Sequence, residues 1–211
     1  PLVDKFELKF KSMFAKKNHC LATGSGTDAL HLSYILSGLK KGDEVIAPVY
    51  TCTATNIPFL YMGIKIKFAD IDIETMNISV ESVKKNLTKK TKAIMLINVL
   101  GNTSEIDKIR AYATKKKIYL IEDNCESLGS KYENKYFGTF GDFSSFSFYY
   151  SHQITSGEGG MVACKNKDDY LLLKTLRAHG WDRDLKKKEK NEKFNFINSG
   201  FNLRPLEISA A

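Results

Sequence analysis

Short apolar runs that end in turn residues recur along the chain: DEVIAPVYT (43–51), IKIKFADID (64–72), KAIMLINVLG (92–101), KKIYLIEDN (116–124), FSSFSFYY (143–150) and GGMVACKN (159–166). Their length and punctuation predict strands. Between several of them the apolar residues return near a period of 3.6, in TDALHLSYILSGL (27–39), VESVKKNL (80–87) and EIDKIRAYATKK (105–116), which predicts helices. Strand alternating with helix predicts an α/β fold with a mostly parallel central sheet flanked by helices. Ligands of such sheets sit beyond the carboxyl ends of the strands, so the residues that follow each run are the ones to search for chemistry.

A length of 211 residues suits one large domain. The chain opens at Pro1 without methionine and closes within RPLEISAA, which reads as a first helical turn, so a fragment of a longer protein is expected. No apolar run approaches the roughly 18 residues of a membrane span, and charges interrupt the N-terminal PLVDKFELKF, so neither a span nor a signal peptide is predicted. Cys20, Cys52, Cys125 and Cys164 lie far apart with no CxxC pair, which fits a reducing cytoplasm and small buried side chains better than disulfides or a zinc site. The net charge of +8 comes largely from lysine clusters at 84–92, 115–117 and 186–193. They lack arginine and interleaved aromatics, so solvated helix faces and one mobile loop are expected rather than a nucleic-acid or lipid surface.

Three strand ends carry candidate chemistry. ATGSGTDAL (22–30) places Gly26 and Thr27 where a loop enters a helix, a place where backbone N–H groups hold phosphate, although Thr27 also suits a plain helix cap. IYLIEDN ends an apolar strand on Glu122 and Asp123. A carboxylate buried there needs a cationic partner such as a protonated pyridine nitrogen; a salt bridge or a helix N-cap is the competing explanation. In SFYYSHQITSGEGG (147–160), Ser147 lies on a strand and His152 on the following turn, before glycines that permit close approach of the backbone. A surface histidine, or a core one satisfied by a carbonyl, is the competing explanation there.

Taken in order, SGTDAL, GDEVIAP, IEDNCESLGSKY, FGTFGDFSSFSF, GEGGMV and FNLRPLEISAA resemble the DegT/DnrJ/StrS sugar-aminotransferase family of fold-type I pyridoxal phosphate enzymes, over essentially all 211 residues. The resemblance implies an aspartate aminotransferase-like large domain over residues 1–211, without the extreme N-terminus and the C-terminal small domain. Most members carry, at the position of His152, the lysine that bonds to the cofactor, whereas no lysine lies here between Lys135 and Lys165. One branch carries histidine there: nucleotide-sugar 3-dehydratases similar to the GDP-4-keto-6-deoxymannose enzyme of deoxysugar and O-antigen biosynthesis. LRAHGWDRDL and FNLRPLE also resemble that branch.

By resemblance, pyridoxamine 5′-phosphate would be held without a covalent bond. His152, an imidazole able to take and give a proton, would move the proton from the cofactor's 4′-carbon and assist departure of the sugar's 3-hydroxyl. Asp123 would pair with the pyridine nitrogen, Glu126 would lie near the ring hydroxyl, and Gly26, Thr27 and Ser147 would hold the phosphate. Cys52 stands where relatives place an aromatic residue over the ring, with Tyr50 nearby as a substitute. His179 and Arg183 would contact substrate. The implied partners are a nucleotide-linked 4-keto-6-deoxy sugar and glutamate as amino donor, in a cytoplasmic homodimer. No metal is expected, and no iron–sulphur cluster, because Arg183 stands near the first thiolate of the cluster-bearing relatives and no cysteine follows Cys164. The rival readings are a nucleotide-sugar aminotransferase, a non-catalytic relative and, last, a nucleic-acid binder.

Overall fold

The structure is a computed structural model that describes residues 1–103, 105–185 and 194–211. The lysine loop expected at 186–193 lies outside the described residues. In chain order the elements are α1 (Leu2–Phe14), β1 (His19–Thr23), α2 (Gly26–Leu36), β2 (Glu44–Pro48), α3 (Thr53–Tyr61), β3 (Lys65–Ala69), α4 (Val80–Asn86), β4 (Thr91–Ile97), α5 (Ile106–Lys116), β5 (Tyr119–Asp123), β6 (Lys131–Tyr132), β7 (Lys135–Tyr136), β8 (Phe143–Ser147), β9 (Gly160–Cys164) and α6 (Lys167–Leu176). All six predicted apolar runs are strands, and all three predicted helices form.

Seven strands make one sheet in the order β1-β9-β8-β5-β4-β2-β3. β8, β5, β4, β2 and β3 pair in parallel, while β9 runs against both β1 and β8. β6 and β7 form a separate two-stranded hairpin. Residues 148–159 join β8 to β9 without a helix, and the two strands pair as antiparallel neighbours.

The strands read as continuous apolar runs because both faces of the sheet are covered. Val45, Ala47, Ala93, Met95 and Ile121 face one core with Leu30, Leu32 and Tyr34 of α2 and Phe59 of α3. Their neighbours Ile46, Ile94, Leu96 and Leu120 face the other, against Val80 and Val83 of α4 and Ile106 and Ile109 of α5. At the β1 edge, Cys20, Ala22, Phe146 and Met161 pack on Val3 and Phe10 of α1. Of the four cysteines, Cys20 and Cys164 are buried as expected, Cys125 is intermediate, and Cys52 departs from the packing role by being exposed. RPLEISAA reaches only a single 3₁₀ turn, Ile208–Ala210.

Candidate active site

The carboxyl ends of β1, β2, β4, β5 and β8 open onto a cavity of about 760 Å³. Gly26, Thr27, Cys52, Asp123, Glu126, Ser147 and His152 all line it, although they come from four separate stretches of sequence. Among the described residues no lysine lines it.

The pleat decides the roles of the two strand-end carboxylates, because consecutive residues of β5 face opposite sides. Glu122 turns away from the cavity, fully buried. It accepts from the backbone N–H groups of Gly138 at 2.8 Å, Phe140 at 2.9 Å and Gly141, and so pins the turn before β8. Burial pushes its pKa up, while those N–H groups oppose the shift. Asp123 turns into the cavity and is 6 % exposed. Its Oδ2 accepts from Thr55 Oγ1 at 2.9 Å and its Oδ1 from the Cys125 N–H at 3.1 Å. Among the described residues it makes neither the salt bridge nor the helix N-cap that competed with a ligand role: the Cys125 bond is a local turn, and no cation stands within ion-pair distance.

The loop that enters α2 is capped by Ser25, whose Oγ accepts from the Asp28 N–H at 3.1 Å. The cap is therefore not Thr27, which instead faces the cavity. Gly26 presses against β8: a Cβ there would stand 2.6 Å from Ser147 Cβ and 3.3 Å from Cys125 Sγ. Gly160 does the same for the preceding loop, since a Cβ on it would meet the Ser25 carbonyl at 2.1 Å. These two glycines seat the positive end of α2 beside the Ser147 hydroxyl, an arrangement suited to an anion.

His152 sits on the turn after β8, half-buried at the cavity wall. Its backbone N–H donates to the Tyr149 carbonyl at 3.0 Å, and its ring lies 6.1 Å from that of Tyr149, edge to face. It is thus neither a free surface histidine nor a core one. Tyr50 and Cys52 also line the cavity, Cys52 just ahead of the first turn of α3. His179 and Arg183 lie outside the cavity. His179 is exposed with a φ of 63°, and the Arg183 guanidinium covers Trp181 at 4.6 Å from its ring centre. The sequence reading missed Thr51, Thr55, Leu100 and Glu158, which also line the site. The hydroxyl-rich TCTAT after β2 was the available signal for the two threonines.

A buried carboxylate with no cation beside it among the described residues, lining the same cavity as a helix terminus whose close approach requires glycine, fits a pyridine ring bearing a phosphate. Among the described residues no group of three or more His, Cys, Asp or Glu is placed to hold a metal ion. No described helix is long and apolar enough to cross a membrane.

Comparison with known proteins agrees with this geometry. The model of the DegT/DnrJ/EryC1/StrS aminotransferase family matches residues 1–211, and the chain belongs to that family. It is 40% identical to GDP-4-keto-6-deoxy-D-mannose 3-dehydratase of Escherichia coli O55:H7 over 99% of the chain and 58% of that protein. It is 42% identical to GDP-perosamine synthase of Escherichia coli O157:H7 over 82% of the chain and 48% of that protein. Among solved structures it superposes, with a TM-score of 0.94 and 38% identity, on a GDP-4-keto-6-deoxymannose-3-dehydratase with a trapped PLP-glutamate geminal diamine, covering 100% of this chain and 58% of that one. The chain therefore spans about half the length of these relatives, and its fold is that of a PLP-dependent aminotransferase-type domain.

Proposed function

We propose that residues 1–211 are the cofactor-binding large domain of a PLP/PMP-dependent nucleotide-sugar 3-dehydratase acting in deoxysugar and O-antigen biosynthesis. The observation that carries this is a cavity that His152 lines and that, among the described residues, no lysine lines. The proposed substrate is a GDP-linked 4-keto-6-deoxy sugar, with glutamate as amino donor, in a cytoplasmic homodimer.

When bound, pyridoxamine 5′-phosphate supplies an amine for the sugar's keto group and a ring that takes up electron density. Asp123 would hold the proton on the ring nitrogen. The N–H groups at Gly26 and Thr27, with the Ser147 hydroxyl, would hold the phosphate, and Glu126 would serve the ring hydroxyl. Cys52 and Tyr50 would bound the ring, Tyr50 offering the aromatic face that Cys52 lacks. His152 would take the proton from the 4′-carbon and deliver one to the departing 3-hydroxyl, which would leave as water. His179 and Arg183, outside the cavity, are proposed contacts for the part of the sugar nucleotide that projects from it.

The second reading, a sugar aminotransferase, is favoured by the identity to GDP-perosamine synthase but finds no lysine at the wall among the described residues. Incubating the intact protein with PLP, glutamate and GDP-4-keto-6-deoxymannose separates the two. Ammonia and a 3-deoxy-4-keto sugar support the dehydratase; a 4-amino sugar without ammonia supports the aminotransferase.

A further inference from the structure

The Asp123 carboxylate is held at both oxygens by different parts of the fold, and one of these holds has no assigned role. Thr55 Oγ1 donates to Oδ2 at 2.9 Å, and Thr51 Oγ1 lies 2.8 Å from Thr55 Oγ1. An ionised carboxylate only accepts, so the Thr55 hydroxyl must donate to it, and its lone pair is left to accept from Thr51. The proton order Thr51 to Thr55 to Asp123 follows, and each bond in such a chain polarises the next.

Thr55 is itself immobile. It is 1 % exposed, its N–H donates to the Cys52 carbonyl at 3.1 Å, and its carbonyl accepts from Tyr34 Oη at 2.7 Å. Tyr34 is fixed in turn by stacking on Phe59, with ring centres 3.7 Å apart. Thr55 is the third residue of α3, where no helical carbonyl four residues back competes for its hydroxyl, and its branched side chain has few rotamers. The bond to Oδ2 is therefore the use this geometry leaves it.

We propose that Thr55, backed by Thr51, is a positioning residue that fixes the Asp123 carboxylate toward the ring nitrogen of a pyridine cofactor. The inference rests on the reading that Asp123 pairs with that nitrogen, and the test separates the two. Affinity of the intact apoprotein is measured for pyridoxal 5′-phosphate and for its 1-deaza analogue, which carries C–H in place of the ring nitrogen. The unmodified protein is expected to prefer the natural cofactor. Thr55→Val is expected to lose about tenfold in affinity for it, the cost of one hydrogen bond to a charged group, and to bind the deaza analogue as before. Thr55→Ser is expected to restore most of the loss, and Thr51→Val to show a smaller loss of the same pattern. An equal loss for both ligands in Thr55→Val overturns the proposal, since a structural defect does not discriminate on one ring atom. Should Thr55→Val fail to fold, half-buried Thr51 carries the same comparison. Equal binding of both ligands by the unmodified protein overturns the pairing of Asp123, and the proposal with it.

Discussion

Gly26 and Ser147 meet so closely that a Cβ on residue 26 would stand 2.6 Å from Ser147 Cβ and 2.9 Å from its hydroxyl oxygen. The start of α2 is thereby lowered onto β8, and the two proposed phosphate contacts become one cradle. Gly26→Ala must lift the helix end and is expected to cost about 1–3 kcal/mol in stability and to weaken cofactor binding. Ser147→Gly in the same chain removes the clash and is expected to return most of the stability but not the binding. Denaturant unfolding and cofactor titration of the single and double variants check this.

Glu122 predicts a dependence on pH. Burial raises its pKa above the ordinary glutamate value. The folded chain then holds the proton more tightly than the unfolded one, so this group's stabilising contribution is full below the unfolded value and is lost as pH rises through the folded one. Unfolding free energy should carry a downward component as pH rises above the ordinary glutamate value. Glu122→Gln abolishes the component, but places an amide donor against the N–H groups of Gly138, Phe140 or Gly141, and is expected to cost about 1–3 kcal/mol. Urea unfolding of both proteins across pH measures the two effects.

Arg177 ties α1 to the sheet. Its Nη1 donates to Glu7 Oε1 at 2.9 Å and to the Ala22 carbonyl at 2.8 Å, with side chains only 11% and 9% exposed. Removing one partner of a buried pair strands the other's charge. Arg177→Ala is expected to destabilise by about 3–5 kcal/mol, read by thermal unfolding, and to loosen α1 first, read by hydrogen exchange.

Leu100 is an exposed leucine in left-handed backbone, φ 49° and ψ 30°, on the cavity wall. Strain of this kind gathers at functional sites. Leu100→Gly releases a penalty of about 1–2 kcal/mol and loses about 0.5–1 kcal/mol to unfolded-state entropy. Thermal unfolding should therefore show no loss of stability, while KM for the sugar nucleotide rises.

Much of this site was legible because its parts end strands. Apolar runs located β2, β3, β4, β5, β8 and β9, and the residue after each run was the place to look. Which of Glu122 and Asp123 faces ligand was fixed by the pleat, whose phase a run of apolar residues buried on both faces does not reveal. Thr55 was hidden because its partner lies 68 residues away. The sequence offered Thr27 as the cap, and only the backbone geometry assigns the cap to Ser25. His179 and Arg183 follow α6, and the left-handed turn at His179 carries that segment elsewhere than the cavity wall.

The most direct test asks whether a lysine ever bonds the cofactor. The intact protein is loaded with pyridoxal 5′-phosphate, reduced with borohydride and weighed by mass spectrometry, with His152→Lys as the positive control. The account predicts an unmodified polypeptide mass for the native sequence, cofactor released on denaturation, and a cofactor adduct in the variant. A reduced adduct on a lysine of the native protein would contradict it and assign the chain to the aminotransferases.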